Sequence, residues 1–212
     1  MKKISLIALI SLSSISLSSK AISATYFWTG WLSSDVTKPY NYLNLSVPSS
    51  SDDLVVLPIS FYQPVVTSNR TIENLTVKSP CTVVISSGAK LTVNGDLTIE
   101  SGTSITASLL EYGTLDVKGT TTFERYIEED GWHYVSSPVS GTSSNVFTGA
   151  ALYSYDETTS AWNAHGPNET LNAMQGYDVY YKNGDQTITF TGDLNSGTFS
   201  NSYLTNVNNG YN

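Results

Sequence analysis

The chain of 212 residues has a single cysteine, two histidines, two methionines and few cations, 10 Lys and Arg against 18 Asp and Glu. One cysteine, Cys81, excludes an intrachain disulfide and leaves no thiolate cluster for zinc. Within Cys81-Thr82-Val83-Val84-Ile85 it reads as a small buried hydrophobe. The formal net charge of −8, with no basic patch to offset it, sets the chain against phosphate backbones and anionic bilayers, so nucleic acid is excluded as a partner class. No segment of about ten residues keeps a 3.6-residue apolar period, so no long helix is expected. No uncharged apolar run after the first residues is long enough to span a membrane.

The N-terminus carries the clearest signal. Met1-Lys2-Lys3 is a short basic region, Ile4 to Leu17 an apolar stretch interrupted by serines, and Ser18-Ser19-Lys20-Ala21-Ile22-Ser23-Ala24 a run of small residues suited to signal-peptidase cleavage. Residues 1–23 are expected to be a secretory signal peptide. The apolar stretch is too short and serine-rich for an anchor, and no cysteine follows it for lipidation. Loss of Lys2, Lys3 and Lys20 would leave 7 basic against 18 acidic side chains and move the net charge from −8 to −11.

What remains is rich in Thr, Ser, Val, Tyr, Asn and Gly, the residues of strands and turns. Between Glu73 and Val117 the pattern repeats. Asn74-Leu75-Thr76-Val77 is echoed by Asp96-Leu97-Thr98-Ile99, Thr82 to Ile85 by Ser104-Ile105-Thr106-Ala107, and Lys90 to Gly95 by Thr114 to Gly119. Leu75 then maps to Leu97, Val83 to Ile105, and Leu91 to Leu115. The first two offsets are 22 residues and the third 24, with the two extra residues assigned to Leu109–Gly113. Three short strands per period imply coils of a short right-handed parallel β-helix, apolar residues pointing inward and stacking from coil to coil. Asn94-Gly95 is also a favoured hairpin turn, which keeps an antiparallel meander open as a rival.

The flanks differ from the repeat. Residues 24–70 are rich in aromatics and proline (Trp28, Trp31, Tyr40, Tyr42, Pro58, Phe61, Tyr62, Pro64) and read as a cap on the first coil, residues 71–120 being the repeat. Asp52-Asp53-Leu54-Val55-Val56-Leu57-Pro58 reads as one strand ended by proline. Asp35, Asp52 and Asp53 could offer oxygens to Ca²⁺, but no calcium-loop spacing supports it and no cofactor is expected. Residues 121–212 read as an antiparallel sandwich or jelly-roll-like module. Its strands are expected at Arg125 to Val139 around an Asp130-Gly131 turn, at Ala151 to Asp156, Tyr177 to Lys182 and Thr187 to Thr191, and around Phe199 to Leu204. The fold class is therefore all-β.

Several phrases recur in a known order: Trp28-Thr29-Gly30-Trp31; Val47-Pro48 followed by Asp52 to Pro58; Glu124-Arg125-Tyr126-Ile127; Gly131-Trp132-His133-Tyr134-Val135-Ser136-Ser137-Pro138-Val139; and Ala173-Met174-Gln175-Gly176-Tyr177. Over residues 27–212 this order resembles secreted Bacteroidetes (Flavobacterium-type) surface proteins, type IX-secreted and built on Leu-Thr-Val repeats. It departs from them at Asn44-Leu45-Ser46, where they carry Asn-Trp. The resemblance implies a secreted or cell-surface location and this architecture. In such proteins the Gly-Tyr-Asn phrase, here Gly210-Tyr211-Asn212, leads into a further apolar strand. Together with the Asn209-Gly210 turn signal, that implies the N-terminal portion of a longer protein, with its last β module incomplete.

Three kinds of chemistry were weighed. A hydrolytic triad of Asp130, His133 and Ser136 or Ser137 lacks the Gly-x-Ser-x-Gly elbow and any known catalytic order. A carboxylate pair for polysaccharide cleavage would draw on Glu100, Glu111 and Asp116 along the repeat. A glycan- or protein-binding surface would use the exposed aromatics of the second module, Trp132, Tyr134, Tyr153, Tyr155, Trp162 and Tyr181; strand alternation puts Tyr153 and Tyr155 on one face and separates Tyr177 from Tyr180. The expectation is a non-catalytic exported structural or adhesion protein, with glycan binding as the alternative and a β-helix polysaccharide-degrading enzyme behind it.

Overall fold

The structure, a computed structural model, describes residues 23–196. The expected strand at Phe199–Leu204, the terminal turn and residues 1–22 of the expected signal segment lie outside the described residues. The fold is a parallel β-solenoid followed by an antiparallel β-sheet module.

Strand β1 (Thr25–Trp28) pairs in parallel with β2 (Asp53–Val56), which opens the first full coil together with β3 (Val65–Val66) and β4 (Arg70–Ile72). The second coil is β5 (Leu75–Val77), β6 (Thr82–Ile85) and β7 (Lys90–Val93); the third is β8 (Leu97–Ile99), β9 (Ser108–Glu111) and β10 (Thr114–Val117). Equivalent strands stack in parallel into three sheets: β1-β2-β5-β8, β3-β6-β9 and β4-β7-β10. Three coils are present because the expected cap contributes one of them. Its strands were hard to see: β3 is two residues long, and Pro58 and Pro64 interrupt the pattern before it.

The Leu-Thr-Val alternation explains the packing. Inward residues form columns, Leu54–Leu75–Leu97 and Val56–Val77–Ile99 on one sheet and Ile72–Val93–Val117 on another, while Thr76, Thr98 and Thr92 face out. Leu75, Val77, Ile85, Val93, Leu97 and Ile99 are all essentially inaccessible, each Leu or Ile contributing about 1.5–3 kcal/mol of burial free energy. The corner before the first sheet is held by a side-chain ladder. Asn74 Nδ2 donates to Asp53 (2.6 Å), Asn74 Oδ1 accepts from Asp96 N (2.7 Å), and Asp96 Oδ1 accepts from Thr120 N (2.8 Å). Gly95 lies against this ladder, where an added Cβ would run into Asn74 Oδ1. Asn94-Gly95 is thus a corner between two sheets, and the hairpin rival is excluded.

Two of the three expected stackings hold: Leu75 on Leu97 and Leu91 on Leu115. The third is corrected. Val83 stacks on Leu109, and Ile105 is 57 % exposed. The chain leaves the third coil after Ile99 in a small hairpin-like excursion, bridged at Ser101 and Thr106, and then shortens the next corner at Tyr112-Gly113. A four-residue gain followed by a two-residue loss looks, in sequence, like a single insertion of two.

Strand β11 (Thr121–Ile127) starts a fourth coil by pairing in parallel with β8 through Thr121–Phe123, then runs on. The second module is β12 (Trp132–Val135), β13 (Ala151–Asp156), β14 (Ala161–Ala164), β15 (Tyr177–Tyr180) and β16 (Gln186–Gly192). β16 pairs antiparallel with β11 along its whole length, extending the first solenoid sheet, and β12-β15-β13-β14 form a separate antiparallel sheet. The Asp130-Gly131 turn does not fold β11 back on β12. Instead β11–β12 and β15–β16 form one antiparallel ribbon that bends from sheet to sheet. The bend is pinned where Asp130 N donates to Tyr181 O (3.0 Å), Gly184 N to Glu129 (2.6 Å) and Tyr126 to Asp185. Between the layers sits a second core of Ile127, Val139, Phe147, Leu152, Tyr177, Val179, Ile188 and Phe190. Among the described residues no helix is long and apolar enough to cross a membrane.

Candidate binding face of the antiparallel module

Register places the aromatic residues. Trp132 lies opposite Tyr180, which lies opposite Ala151; Tyr134 lies opposite Asp178, which lies opposite Tyr153, which lies opposite Ala164; Tyr155 lies opposite Trp162. With side chains alternating along each strand, these residues share the face turned away from the module's core. His133, Val179 and Leu152 share the other, and Val179 and Leu152 belong to the core. The outer face is exposed at both ends, with Trp132 53 %, Tyr134 73 % and Trp162 49 % accessible. The rings form two groups. Trp132 packs on Tyr180 (centroids 5.2 Å apart) and edge-on to Tyr153 (5.7 Å); Tyr155 packs on Trp162 (5.1 Å).

Five of the six aromatics expected from sequence are therefore on one face. The sixth, Tyr181, is corrected: it is 4 % exposed and packed in the second core, because the ribbon bends immediately after β15 and turns this ring inward.

Between the rings is a hollow of about 370 Å³ lined by Trp132, Tyr153, Trp162 and Asp178. The alanine at position 164, opposite Tyr153, keeps the β14 side low. Asp178 is only 8 % exposed, and its Oδ1 is buried with no hydrogen-bond partner among the described residues. Burial raises its pKa above the usual carboxylate value, opposed by the nearby His133. A buried acceptor left unmatched costs about 1–3 kcal/mol, and native proteins keep few.

The other candidates are spread over the molecule. Glu100 pairs with Lys78 (2.6 Å), Asp116 with Lys90 (2.7 Å) and Lys118 (2.6 Å), and Glu111 accepts from Leu115 N (2.8 Å). They stand on or beside strands of three different sheets, and Glu100 and Asp116 are each engaged by lysine. The lysines hold the Asp116 carboxyl below its usual range. His133 Nε2 contacts the Glu128 carbonyl (3.1 Å) and Ser137 Oγ the Val139 carbonyl (2.7 Å), and no relay links them through Asp130, which accepts from Tyr180. Asp35 and Asp52 close their own turns through Thr37 and Ser49, and Asp53 joins the corner ladder. Among the described residues no group of three or more His, Cys, Asp or Glu could hold a metal ion. Cys81 is buried with its thiol on the Leu57 carbonyl (3.0 Å), and burial pushes the thiol pKa up.

One constellation has no trace in sequence order. Ser154 Oγ lies 2.7 Å from His165 Nε2, and His165 Nδ1 lies 2.7 Å from Glu169, whose other oxygen accepts from Gly166 N (2.7 Å). These are the distances of a serine–histidine–carboxylate relay. Ser154 is 4 % exposed, on the core side of β13, and the adjacent hollow of about 270 Å³ is lined by His165, Ser144, Phe147 and Leu152, among others, but not by Ser154. In this arrangement the hydroxyl is enclosed, and the three groups tie the 164–170 loop to the sheet.

A second exposed apolar surface lies on the N-terminal segment. Trp28 and Tyr42 are buried edge-to-face (5.1 Å) at the end of the solenoid core, as expected of a cap. Trp31, Tyr40, Leu43, Ile59 and Phe61 instead line an open hollow of about 720 Å³ and are each about 60–70 % exposed.

No curated protein and no solved structure matches the chain. One family model covers residues 27–212, which takes in the solenoid and the antiparallel module together, and the chain accordingly belongs to the family described as domain of unknown function DUF8693.

Proposed function

We propose that this is a non-catalytic, exported surface protein in which the solenoid is a scaffold and the outer face of the antiparallel sheet binds carbohydrate, giving the protein an adhesive role. The observation that carries this reading is the hollow lined by Trp132, Tyr153, Trp162 and the nearly buried Asp178, one of whose carboxylate oxygens has no hydrogen-bond partner among the described residues. Flat aromatic faces accept the apolar face of a pyranose, and a small number of fixed polar groups supply orientation. Export rests on the Met1-to-Ala24 pattern, and surface location on the resemblance to type IX-secreted Bacteroidetes surface proteins. The test is a glycan array probed with the chain lacking residues 1–23, beside the same chain carrying Trp132→Ala and Trp162→Ala. The reading expects binding to a subset of glycans that the double variant loses with its fold intact by circular dichroism; an array without signal at millimolar glycan overturns it.

A second reading, a hydrolase using Ser154, is favoured by the relay distances and opposed by the enclosure of the hydroxyl. A fluorophosphonate probe separates the two. Labelling at Ser154 makes the protein a hydrolase; an unlabelled serine supports the binding reading.

A further inference from the structure

The one charged residue lining the aromatic hollow among the described residues, Asp178, says what kind of sugar it suits. We propose that the hollow takes a pyranose bearing a free amine, its ammonium group donating to Asp178 between the rings of Trp132, Tyr153 and Trp162. This rests on the carbohydrate reading and narrows it to a cationic amino sugar.

Three observations converge. Asp178 lines the hollow while only 8 % exposed, and its Oδ1, buried below the surface, has no donor among the described residues, in a side chain that register places between Tyr134 on one neighbouring strand and Tyr153 on the other. A hydroxyl would bring a hydrogen bond but no charge to a desolvated carboxylate that only His133, on the opposite face of the sheet, partly offsets, whereas an ammonium group brings both. The walls are aromatic, and the faces of Trp and Tyr attract cations through their quadrupoles, most strongly where water is excluded. The surroundings are short of competing cations. Residues 121–212 contain two basic side chains, Arg125 and Lys182, and two histidines against ten Asp and Glu; the Arg125 guanidinium contacts Thr106 of the solenoid (3.2 Å), His165 is held by Glu169, and His133, the one that acts on Asp178, stands on the opposite face of the sheet. Asp130 stands at the rim, accepting from Tyr180, whose ring packs on Trp132. The same field disfavours uronic acids, and acetylation of the amine would remove the charge and add bulk beside Asp178.

The test is isothermal titration of the chain lacking residues 1–23, at about pH 6, where an amine is protonated. The probes are three β-1,4-linked or α-1,4-linked tetramers: glucosamine, N-acetylglucosamine and galacturonic acid. The proposal expects the glucosamine tetramer to bind at least about tenfold tighter than its N-acetylated form, a factor worth roughly 1.4 kcal/mol, with no binding of the galacturonic acid tetramer. Asp178→Asn, close to isosteric and free of the buried charge, should erase the preference, while Trp162→Ala weakens the amine-bearing tetramer without altering the unfolding midpoint. Equal or tighter binding of the N-acetylated tetramer, or a preference that survives Asp178→Asn, overturns the amine assignment and leaves the carbohydrate reading standing. If no tetramer binds and the array is also silent, both fall.

Discussion

The solenoid and the antiparallel module use their charged residues in opposite ways. Residues 24–120 carry five cations against eight carboxylates, and four Lys–carboxylate contacts occur there, three of them between 2.6 and 2.7 Å. Its Asn and Asp side chains close corners, and the stacked columns of its coils are aliphatic, with Trp28 and Tyr42 closing one end of the core. Residues 121–212 carry two cations against ten carboxylates, turn an aromatic face outward, and leave the Asp178 Oδ1 unmatched. A region whose groups are matched internally has little left to offer a ligand; a region that leaves some of them unmatched is where recognition belongs. Function is therefore sought in the module and stability in the coils.

That contrast can be broken first by core truncation. Leu75→Ala or Leu97→Ala, in the middle of a stacked column, should cost about 2–5 kcal/mol in urea denaturation, with the loss spread over the whole solenoid. Tyr134→Ala, on the outer face of the module, should cost under about 1 kcal/mol; comparable losses would show that the aromatic face is structural. Next in size is the corner ladder. Asn74→Ala strips partners from Asp53 and Asp96 N and should cost about 1–3 kcal/mol, and Asn74→Asp, which keeps an acceptor for Asp96 N but sets a carboxylate against Asp53, should not restore stability. A smaller effect of opposite sign is expected at Thr121. Its side chain is fully buried at the top of the Leu54–Leu75–Leu97 column, and its Oγ1 has no partner among the described residues. Thr121→Val should raise stability by up to about 1 kcal/mol; a loss would mean the hydroxyl has a partner.

The smallest effect concerns the Ser154–His165–Glu169 clamp. Contact with His165, with help from Gly166 N, lowers the Glu169 pKa below its ordinary 4.5. A depressed carboxylate stabilises the fold at pH above its unfolded value, and that contribution is lost as pH falls through the folded value. Acidification below about pH 4.5 should therefore lower the amide protection factors of residues 164–170, taken against the intrinsic exchange rate at each pH, and Glu169→Gln should remove this pH dependence. Equal protection factors for this loop at pH 6 and at about pH 3 in the wild-type chain would contradict the clamp.

How much of this was legible depended on whether the signal was local. The Leu-Thr-Val alternation marks both the strand and its inward side, so Leu75/Leu97 and Leu91/Leu115 could be paired from sequence. Val83/Leu109 could not, because two opposite length changes masquerade as one. Of the coil β2-β3-β4, only β2 was read as a strand, within Asp52–Pro58; the two-residue β3 and the prolines before it hid the coil. On the outer face, alternation placed Tyr153 and Tyr155 together, whereas Trp132, Tyr134 and Trp162 stood out only as aromatics of the second module, and the strand that carries Trp162 was not expected. Tyr181 lies one residue past β15, where the bend overrides alternation. Asp178 had a readable sign, a carboxylate at the parity of Tyr180 in an otherwise apolar strand, but its unmatched oxygen is a tertiary fact. The relay of Ser154, His165 and Glu169 depends on the β13–β14 register and a loop folding back, which no spacing encodes.

The central claim, that ligand recognition belongs to the outer face of the antiparallel sheet, is tested most directly by mapping aromatic side-chain NMR shifts while glucosamine tetramer is titrated into the chain. The account predicts perturbations concentrated at Trp132, Tyr153, Trp162 and neighbouring Tyr134, with Trp28 in the solenoid core unchanged. Perturbations centred on Trp31, Tyr40 and Phe61 of the N-terminal hollow, or none at the Asp178 face, would contradict it.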